Sequence, residues 1–248
     1  MKGKIVNADV LSIDHVTRTF GSMTAVDDLV LSLKAGEVLG FLGTNGAGKT
    51  TTIKMLLGLI RPTSGRITVF GGDPSNPAMR RRIGYMPETA YYYPYLTARE
   101  LLSFYGGLCG LDRRTINART NLLLEEVELA DAAKRPLKTY SKGMLQRAGI
   151  AQALLADPDL LVLDEPFTGL DPLARIRFRH LLQRLREQGK SIFFSSHELG
   201  ETELLCDRVA IMKKGHCFYN GPVSRFAGDG RENLERIFLD VLEKGAVK

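Results

Sequence analysis

The segment GTNGAGKT runs from Gly43 to Thr50 and contains the most specific pattern in the chain. Its spacing matches the pattern G-x-x-x-x-G-K-[ST] in full, between a predicted strand over Glu37–Leu42 and a predicted helix that ends near Ile60. Glycines let the backbone turn its N–H groups inward around phosphate oxygens, and the start of the helix adds partial positive charge. The segment therefore predicts a phosphate-binding loop at the junction of a strand and a helix.

The residues of this loop are expected to hold a nucleotide and its metal ion. Lys49 should reach the terminal phosphates, and Thr50 should place its hydroxyl on Mg²⁺. The predicted phosphate-binding residues are Gly43, Asn45, Gly46, Gly48, Lys49, Thr50 and Thr51. The alternative is a plain glycine-rich turn, which the complete motif and its context disfavour.

A second segment, LLVLDEP over residues 160–166, places two carboxylates at the end of a predicted buried strand. A phosphate-binding loop needs a carboxylate on a neighbouring strand to hold the metal ion, and Asp164 is predicted to fill that role. Glu165 beside it is suited to orient or deprotonate the attacking water, a task worth roughly 10²–10⁴-fold in rate. The alternative is an acidic junction between a strand and a loop, which is common.

Composition limits the class of protein without choosing a function. The chain has 248 residues, 44% hydrophobic and 25% charged, as in an ordinary globular protein. No apolar run approaches the ~18 residues of a membrane span, and MKGKIVNADVLSIDH lacks the apolar stretch of a secretory signal. We therefore expect a cytosolic chain with Cys109, Cys206 and Cys217 as free buried thiols. A net charge of +6 fits nucleic acid, an anionic membrane or a phosphate-rich ligand.

The predicted elements form an α/β core that a helical segment interrupts. Apolar patterns predict strands at residues 10–16, 26–33, 37–42, 66–70, 160–163 and 191–195, and a hairpin at 207–219. Residues from about 97 to 155 have helical character, beginning with the capping box Thr97-Ala-Arg-Glu100. We predict one domain over residues 1–221, and a tail over 222–248 with an amphipathic helix at roughly 231–243.

Three further motifs complete an ordered set. YSKGMLQR at 140–147 precedes LLVLDEP, GLDP at 169–172 follows it, and FFSSHEL lies at 193–199. Together with GTNGAGKT, these motifs resemble the ATP-binding cassette (ABC) superfamily, and more closely the separate ATPase subunit of its exporter branch. The resemblance covers about residues 10–220 and implies an α/β fold, with a RecA-like P-loop NTPase core, an antiparallel β subdomain and a helical insert. It also implies ATP and Mg²⁺ as ligands.

The resemblance assigns roles to residues outside the phosphate-binding loop. The signature residues Ser141, Lys142, Gly143 and Met144 are expected to face the ATP that the opposite subunit holds. His197 is expected to contact the γ-phosphate as a catalytic residue beside Glu165. Asp171 is expected to communicate across a dimer, and Phe20 to stack on adenine. The alternatives are a helix N-cap for Ser141 and Asp171, a satisfied polar residue for His197, and a core position for Phe20.

Two positions depart from the usual pattern of the family. The signature reads SKGM where SGGQ is commonest, and similar SKGM forms occur in the exporter branch, so we do not expect a dead site. Glu88 in YMPE stands where Gln is commonest. Its oxygens suit Mg²⁺, although an ionised carboxylate cannot donate a hydrogen bond to phosphate. Glu88 is therefore a candidate metal ligand beside Thr50 and Asp164.

A tyrosine cluster lies in ETAYYYPYLT, over residues 88–97. Neighbouring residues diverge in a strand or a helix, so at least one of Tyr91, Tyr92 and Tyr93 should be exposed. In the resembled family this segment lies where the cassette meets its membrane-spanning partner, and tyrosine suits such interfaces. We predict that Tyr91, Tyr92, Tyr93 and Tyr95 contact a transmembrane subunit. The alternative is aromatic packing within the helical insert.

These motifs predict the ATP-hydrolysing subunit of an ABC transporter that drives a separate transmembrane permease, with export as the expected direction. Two cassettes, identical or homologous, should sandwich two ATPs at the cytoplasmic face of the cell membrane, held there through the permease. A nucleic-acid or ribosome ATPase is disfavoured, because too few residues separate Lys49 from Ser141 for a long coiled coil and only one set of motifs is present. A pseudoenzyme is disfavoured because Lys49, Asp164, Glu165 and His197 are all present. No nucleic-acid partner is expected, and the cargo is not predicted.

Overall fold

Two β-sheets carry the fold of the chain, for which a computed structural model describes residues 9–89, 91–226 and 234–244. The smaller sheet is antiparallel and comprises β1 (Asp9–Phe20), β2 (Met23–Lys34) and β4 (Ser64–Val69), in the order β2-β1-β4. The larger sheet comprises β3 (Val38–Gly43), β5 (Ile83–Met86), β6 (Leu160–Asp164), β7 (Ser191–Ser196), β8 (Arg208–Lys213) and β9 (His216–Pro222).

The strands of the larger sheet lie in the order β5-β6-β7-β3-β8-β9. The first five strands of this order pair in parallel, and β9 pairs antiparallel with β8. The carboxyl ends of neighbouring parallel strands lie at one edge of a sheet, which is where α/β proteins bind their ligands. The ends of β3, β6 and β7 therefore meet at this edge. These ends carry the start of the glycine-rich loop, the Asp-Glu pair and the predicted catalytic histidine.

Helices cover the sheets and connect their strands. In the described part of the chain they are α1 (Lys49–Leu56), α2 (Pro77–Arg80), α3 (Ala98–Leu108), α4 (Arg113–Glu126), α5 (Lys142–Leu154), α6 (Pro172–Glu187), α7 (Leu199–Leu205) and α8 (Leu234–Lys244). The predicted capping box of α3 is confirmed, because the Thr97 side chain accepts from the Glu100 N–H and the Glu100 carboxylate accepts from the Thr97 N–H. No helix among the described residues is long and apolar enough to cross a membrane.

The larger sheet is buried on both faces. Phe41 packs in one hydrophobic cluster with β1, β2 and α1, whereas its neighbour Leu42 packs in the other with the helical segment and α6. Phe193 and Phe194 divide between the two clusters in the same way. Because side chains alternate faces along a strand, burial on both faces requires continuous apolar runs. This requirement explains why β6 and β7 read LLVLD and SIFFSS.

The elements agree with most of the sequence-based predictions and extend several of them. The α/β class is confirmed, and β1 and β2 are both longer than predicted. Three short elements were not predicted, namely α2, α7 and β5, whereas α4 lies within the predicted helical segment, where no separate bounds were given for it. The division of the chain into a domain and a tail stays a prediction.

The tail helix α8 packs on the body of the protein. Its described part runs from Leu234 to Lys244, so the predicted positions 231–233 lie outside the described residues. The helix buries Leu234, Ile237, Phe238 and Val241. The Lys213 Nζ donates to the carbonyls of Val241 and Leu242 at 2.9 and 2.6 Å, which satisfies the last turn of the helix.

The prediction of buried thiols is wrong for one of the three cysteines. Cys206 is buried and Cys217 is half-buried, but Cys109 is exposed. Cys109 follows the last residue of α3, where the helix leaves the core. Burial raises the pKa of the Cys217 thiol to about 11, which makes this thiol unreactive at neutral pH.

Candidate functional site

The glycine-rich loop turns tightly between β3 and α1. Gly48 has φ 107°, and a Cβ atom there would lie 2.5 Å from the Ala25 carbonyl oxygen, so only glycine fits. The Lys49 side chain folds back over the loop, where its Nζ donates to the Gly43 carbonyl at 2.6 Å and contacts the Thr44 carbonyl at 3.4 Å. The loop therefore holds a buried cation at the start of α1, and a cation together with a helix N-terminus can bind phosphate.

Glu165 joins two of the predicted site residues. Its Oε1 lies 3.2 Å from the Lys49 Nζ, and both side chains are 7% exposed. Its Oε2 lies 2.8 Å from the Nδ1 of His197, which is half-exposed. Glu165 also has φ 50°, a left-handed conformation that is uncommon for a residue with a side chain. The fold thus brings Lys49, Glu165 and His197 into one connected group.

Asp164 lies beside this group at the end of β6. Its Oδ1 accepts a hydrogen bond from the Ser195 hydroxyl at 2.6 Å, and the Thr50 hydroxyl lies 3.5 Å from its Oδ2. Burial raises the pKa of the Asp164 carboxyl, the Ser195 hydrogen bond lowers it, and the nearby charges of Glu88 and Glu165 raise it again. Together these effects raise the pKa of the Asp164 carboxyl, although the charge of Lys49 lowers it slightly, so a cation bound beside Asp164 would favour its ionised form.

Ser195 is a site residue that sequence reasoning missed. Its hydroxyl donates to Asp164 and accepts from the Glu165 N–H at 2.9 Å, so it fixes both acidic residues from the neighbouring strand. Ser195 is fully buried. Asp164 and Ser195 are partners in the parallel pairing of β6 with β7. The polar Ser-Ser pair at the end of an apolar strand was the available signal, since a buried hydroxyl needs a partner.

The donor atoms fit a magnesium ion that has few protein ligands. Thr50 and Asp164 present oxygens to one space, and hard cations prefer oxygen. No group of three or more His, Cys, Asp and Glu side chains that could hold a metal ion occurs in the described ranges. At a nucleotide site, phosphates and water would supply the remaining ligands of Mg²⁺. Glu88 is exposed, and its role as a ligand stays a prediction.

The signature residues lie apart from this cluster. Ser141 caps α5 by accepting from the Met144 N–H at 3.3 Å, and both Ser141 and Lys142 are exposed. The Lys142 side chain crosses Gly169, where a Cβ atom would lie 2.5 Å from its Nζ. Within the described chain, no hydrogen bond or ion pair joins residues 141–144 to Lys49, Asp164 or Glu165. The signature thus presents a helix N-terminus to the exterior.

Two further predicted residues have definite surroundings. Asp171 accepts from the Ala174 N–H at 2.9 Å and caps α6, with Pro172 in the first helical turn, which confirms the predicted N-cap role. Phe20 is exposed, so the alternative of a core phenylalanine is wrong. The guanidinium carbon of Arg18 lies 4.4 Å from the centre of the Phe20 ring. The dimer role of Asp171 and the adenine contact of Phe20 stay predictions.

The tyrosine cluster divides into exposed residues and one inward residue. Tyr91, Tyr93 and Tyr95 are 93%, 65% and 76% exposed. Tyr92 is half-buried and packs edge-to-face on Tyr105, with ring centres 6.4 Å apart. Burial raises the pKa of the Tyr92 phenol. Tyr92 thus faces inward while its neighbours face outward, since adjacent side chains of an extended segment point in opposite directions, and the partner contacts of all four tyrosines stay a prediction.

Comparison with known proteins identifies the family. The family model for the ABC transporter matches residues 26–168. An uncharacterised ABC transporter ATP-binding protein of Synechocystis sp. is 45% identical over 203 residues, which are 81% of this chain and 57% of that protein. The bacitracin transport ATP-binding protein BcrA of Bacillus licheniformis is 42% identical over 229 residues, 91% of this chain and 74% of that protein.

A solved structure gives the same answer at the level of the fold. The ATP-binding subunit of an ABC transporter superimposes with a TM-score of 0.85 at 30% identity, covering 94% of this chain and 100% of the other. The chain spans 57% of the length of its Synechocystis relative, so it corresponds to part of that longer protein. On these matches, and with the glycine-rich loop, the Asp-Glu pair and His197 assembled at one sheet edge, the chain belongs to the ABC transporter family as one of its ATP-binding cassettes.

Proposed function

We propose that this chain binds and hydrolyses ATP as a subunit of an ABC transporter, pairing with a second cassette to drive a separate transmembrane subunit. One observation carries the proposal. Lys49, Glu165 and His197 form a connected, largely buried group at the mouth of a phosphate-binding loop. The group contains a cation for phosphate and a carboxylate that can position water, which are parts that phosphoryl transfer to water uses, together with an imidazole that contacts the carboxylate.

The contacts support a division of roles for ATP hydrolysis. Lys49 exchanges its contact with Glu165 for a phosphate oxygen when ATP binds, which frees one carboxylate oxygen. Glu165 then orients the attacking water and accepts its proton, while His197 holds the carboxylate through its other oxygen. Thr50 and Asp164 would hold Mg²⁺, which neutralises charge on the phosphates. Ser195 keeps both acidic residues in register.

The exposed signature supports pairing of two cassettes. Residues Ser141 and Lys142 form an exposed helix start that does not serve the phosphate site of its own chain. A helix N-terminus and a lysine are both favourable for an anion, typically by ~0.3–1 kcal/mol for the helix end. In a twofold dimer, each signature would meet the γ-phosphate in the other subunit. Asp171 lies beside this surface and would meet its counterpart across the axis.

The exposed aromatic patch supports a membrane-embedded partner. The patch consists of Tyr91, Tyr93, Tyr95, Phe104 and Leu108, all of which are exposed. Large exposed apolar patches mark interaction sites, and tyrosine combines an apolar ring with a polar tip. We infer that a cytoplasmic segment of the permease packs here and holds the cassette at the cytoplasmic face of the membrane. No nucleic-acid partner is proposed.

The direction of transport is proposed to be export. The SKGM signature resembles that of exporter cassettes, and the relative BcrA is described as serving bacitracin transport. The cargo itself is selected by the permease.

The test compares two lysines of the same helix. Lys49→Ala removes the buried cation, so ATP binding should weaken about tenfold or more and hydrolysis should disappear, since bonds to charged groups contribute about 1.5–3 kcal/mol. Lys54→Ala removes an exposed lysine from α1 and should leave both unchanged. ATP affinity is measured with a fluorescent analogue, and hydrolysis by phosphate release. Wild-type hydrolysis by Lys49→Ala would exclude this loop from the reaction.

A further inference from the structure

Arg175 connects two loops that border the proposed site. It lies in the first turns of α6, and its Nε donates to the Leu170 carbonyl at 3.1 Å. Its two terminal nitrogens donate to the two oxygens of Glu198, one of them at 2.8 Å. Leu170 belongs to the loop of residues 167–171, and Glu198 directly follows His197. One guanidinium therefore joins this loop to residues 196–199, which we call the histidine loop.

Both ends of the connection are fixed to groups of the proposed mechanism. Leu170 lies against Gly143 of the signature, and the Gln146 side chain donates to the Thr168 carbonyl at 2.6 Å. At the other end, the Glu198 N–H donates to the Ser196 hydroxyl at 2.9 Å. His197 between them contacts Glu165. A continuous set of contacts thus runs from the signature to the proposed general base.

We propose that Arg175 is a positioning residue that couples the signature side of the cassette to His197 and Glu165. The proposal rests on the proposed function, because it concerns the same reaction. When a second cassette engages residues 141–144 and the loop at 167–171, Arg175 transmits the new position of Leu170 to Glu198. Hydrolysis in one site then depends on contact with the opposite subunit, since small displacements of a general base cost up to about 10²-fold in rate.

The chemistry of arginine suits this role. The planar guanidinium has five N–H donors in a fixed arrangement, so it can bind a carboxylate with two parallel bonds and a carbonyl at the same time. A lysine has one ammonium and cannot span both groups. The Arg175 and Glu198 side chains are 31% and 21% exposed, so water weakens the pair only partly.

The chain contains a matched control on the same two helices. Arg179 lies one turn after Arg175 on α6 and donates to Glu201 on α7 at 2.7 Å. These side chains are 16% and 14% exposed, so this pair is at least as buried as the first. Among the described contacts, neither side chain of the control pair has a hydrogen bond or ion pair with Leu170 or with residues 196–199. If Arg175 only fastened α6 to α7, both pairs would behave alike.

The experiment compares Arg175→Gln, Arg175→Lys and Glu198→Gln with Arg179→Gln and Glu201→Gln in the full chain. Hydrogen exchange without nucleotide reports on residues 167–171 and 196–199, and steady-state ATP hydrolysis gives kcat and KM. We expect each substitution at Arg175 or Glu198 to speed exchange in both loops and to lower kcat about 10- to 100-fold, with KM within about twofold. Arg175→Lys should fail to restore either property. The control substitutions should leave loop exchange and kcat unchanged.

A double substitution separates coupling from independent damage. Arg175→Gln with Glu198→Gln should be no worse than the worse single variant, because both remove the same connection. Equal effects from the two pairs, or loop exchange unaffected at Arg175 and Glu198, would overturn the proposal. If Arg175→Gln does not fold, the nearly isosteric Glu198→Gln decides. A wild-type chain without ATP hydrolysis would refute the proposed function, whereas loop exchange would still decide the role of Arg175.

Discussion

Because Tyr92 packs inward and Tyr91 is exposed, substitutions of these two adjacent residues should differ in their effect on stability. Tyr92→Ser removes a ring that packs on Tyr105 and the core, and truncation of a large buried aromatic costs roughly 3–5 kcal/mol. Tyr92 is only half-buried, so we take the lower end, about 3 kcal/mol. For a chain of this length each kcal/mol corresponds to about 2–4 °C, so the melting temperature should fall by about 6–12 °C. Tyr91→Ser, at a fully exposed neighbour, should stay within about 0.5 kcal/mol.

The Tyr92 hydroxyl gives a second, more specific expectation. It is buried and has no hydrogen-bond partner in the described part of the chain, and an unsatisfied buried polar group costs about 1–3 kcal/mol. Tyr92→Phe should therefore be as stable as the wild type or more stable at neutral pH. Burial raises the pKa of Tyr92 in the folded state above that in the unfolded state. The contribution of Tyr92 to the free energy of unfolding is therefore complete below the ordinary tyrosine pKa, and it is lost as the pH rises toward the pKa of the folded state. The advantage of Tyr92→Phe should widen above about pH 10.

Urea unfolding at pH 7.5 and at alkaline pH, together with thermal melting, measures the stability of Tyr92→Ser, Tyr91→Ser and Tyr92→Phe. Pull-down by the membrane subunit supplies a separate readout, in which Tyr91→Ser together with Tyr95→Ser should weaken binding without loss of stability. A Tyr92→Ser protein as stable as Tyr91→Ser would refute the inward orientation of Tyr92. A Tyr92→Phe protein destabilised by more than about 1 kcal/mol would show that its hydroxyl has a favourable partner.

Two further predictions concern the site. Ser195→Ala leaves Asp164 and the Glu165 N–H without their buried partner, so urea unfolding should show a loss of about 1–3 kcal/mol, and an unchanged midpoint would contradict the bridge. Phe20→Ala should weaken ATP binding in a fluorescence titration by about 5- to 150-fold, since stacking contributes about 1–3 kcal/mol per base, while affinity for inorganic triphosphate should not change. Equal losses for ATP and triphosphate would exclude an adenine contact.

The sequence was most informative where a function requires residues close together in the chain. The glycine-rich loop and the apolar run before Asp164 are local patterns, so they predicted β3 and β6 to within one residue, and they predicted α1 with an end near Ile60 in place of Leu56. The family resemblance supplied the order of the larger fold, which the comparisons confirm. The strand β5 reads IGYM, which is too short and mixed to produce a recognisable pattern.

The contacts that require tertiary structure were not predictable in this way. Tyr92 lies in an irregular segment that has no periodic pattern of apolar residues, so nothing in the local sequence indicates which tyrosine turns inward. Arg175 and Glu198 are far apart in the sequence and meet only because α6 packs beside α7. The contact of Ser195 was partly predictable, because parallel pairing of β6 with β7, if known, would have placed Ser195 opposite Asp164.

In the proposed mechanism, Glu165 activates water for ATP hydrolysis at a site where Lys49 binds the phosphates. Single-turnover hydrolysis by Glu165→Gln with ATP bound at saturation isolates this role, because the amide preserves the shape of the side chain and removes the base. The rate should fall roughly 10²–10⁴-fold while ATP remains bound, and the trapped complex should have the mass of a dimer by light scattering. Hydrolysis within about tenfold of the wild-type rate would contradict the claim, since Glu165 would then not be the general base.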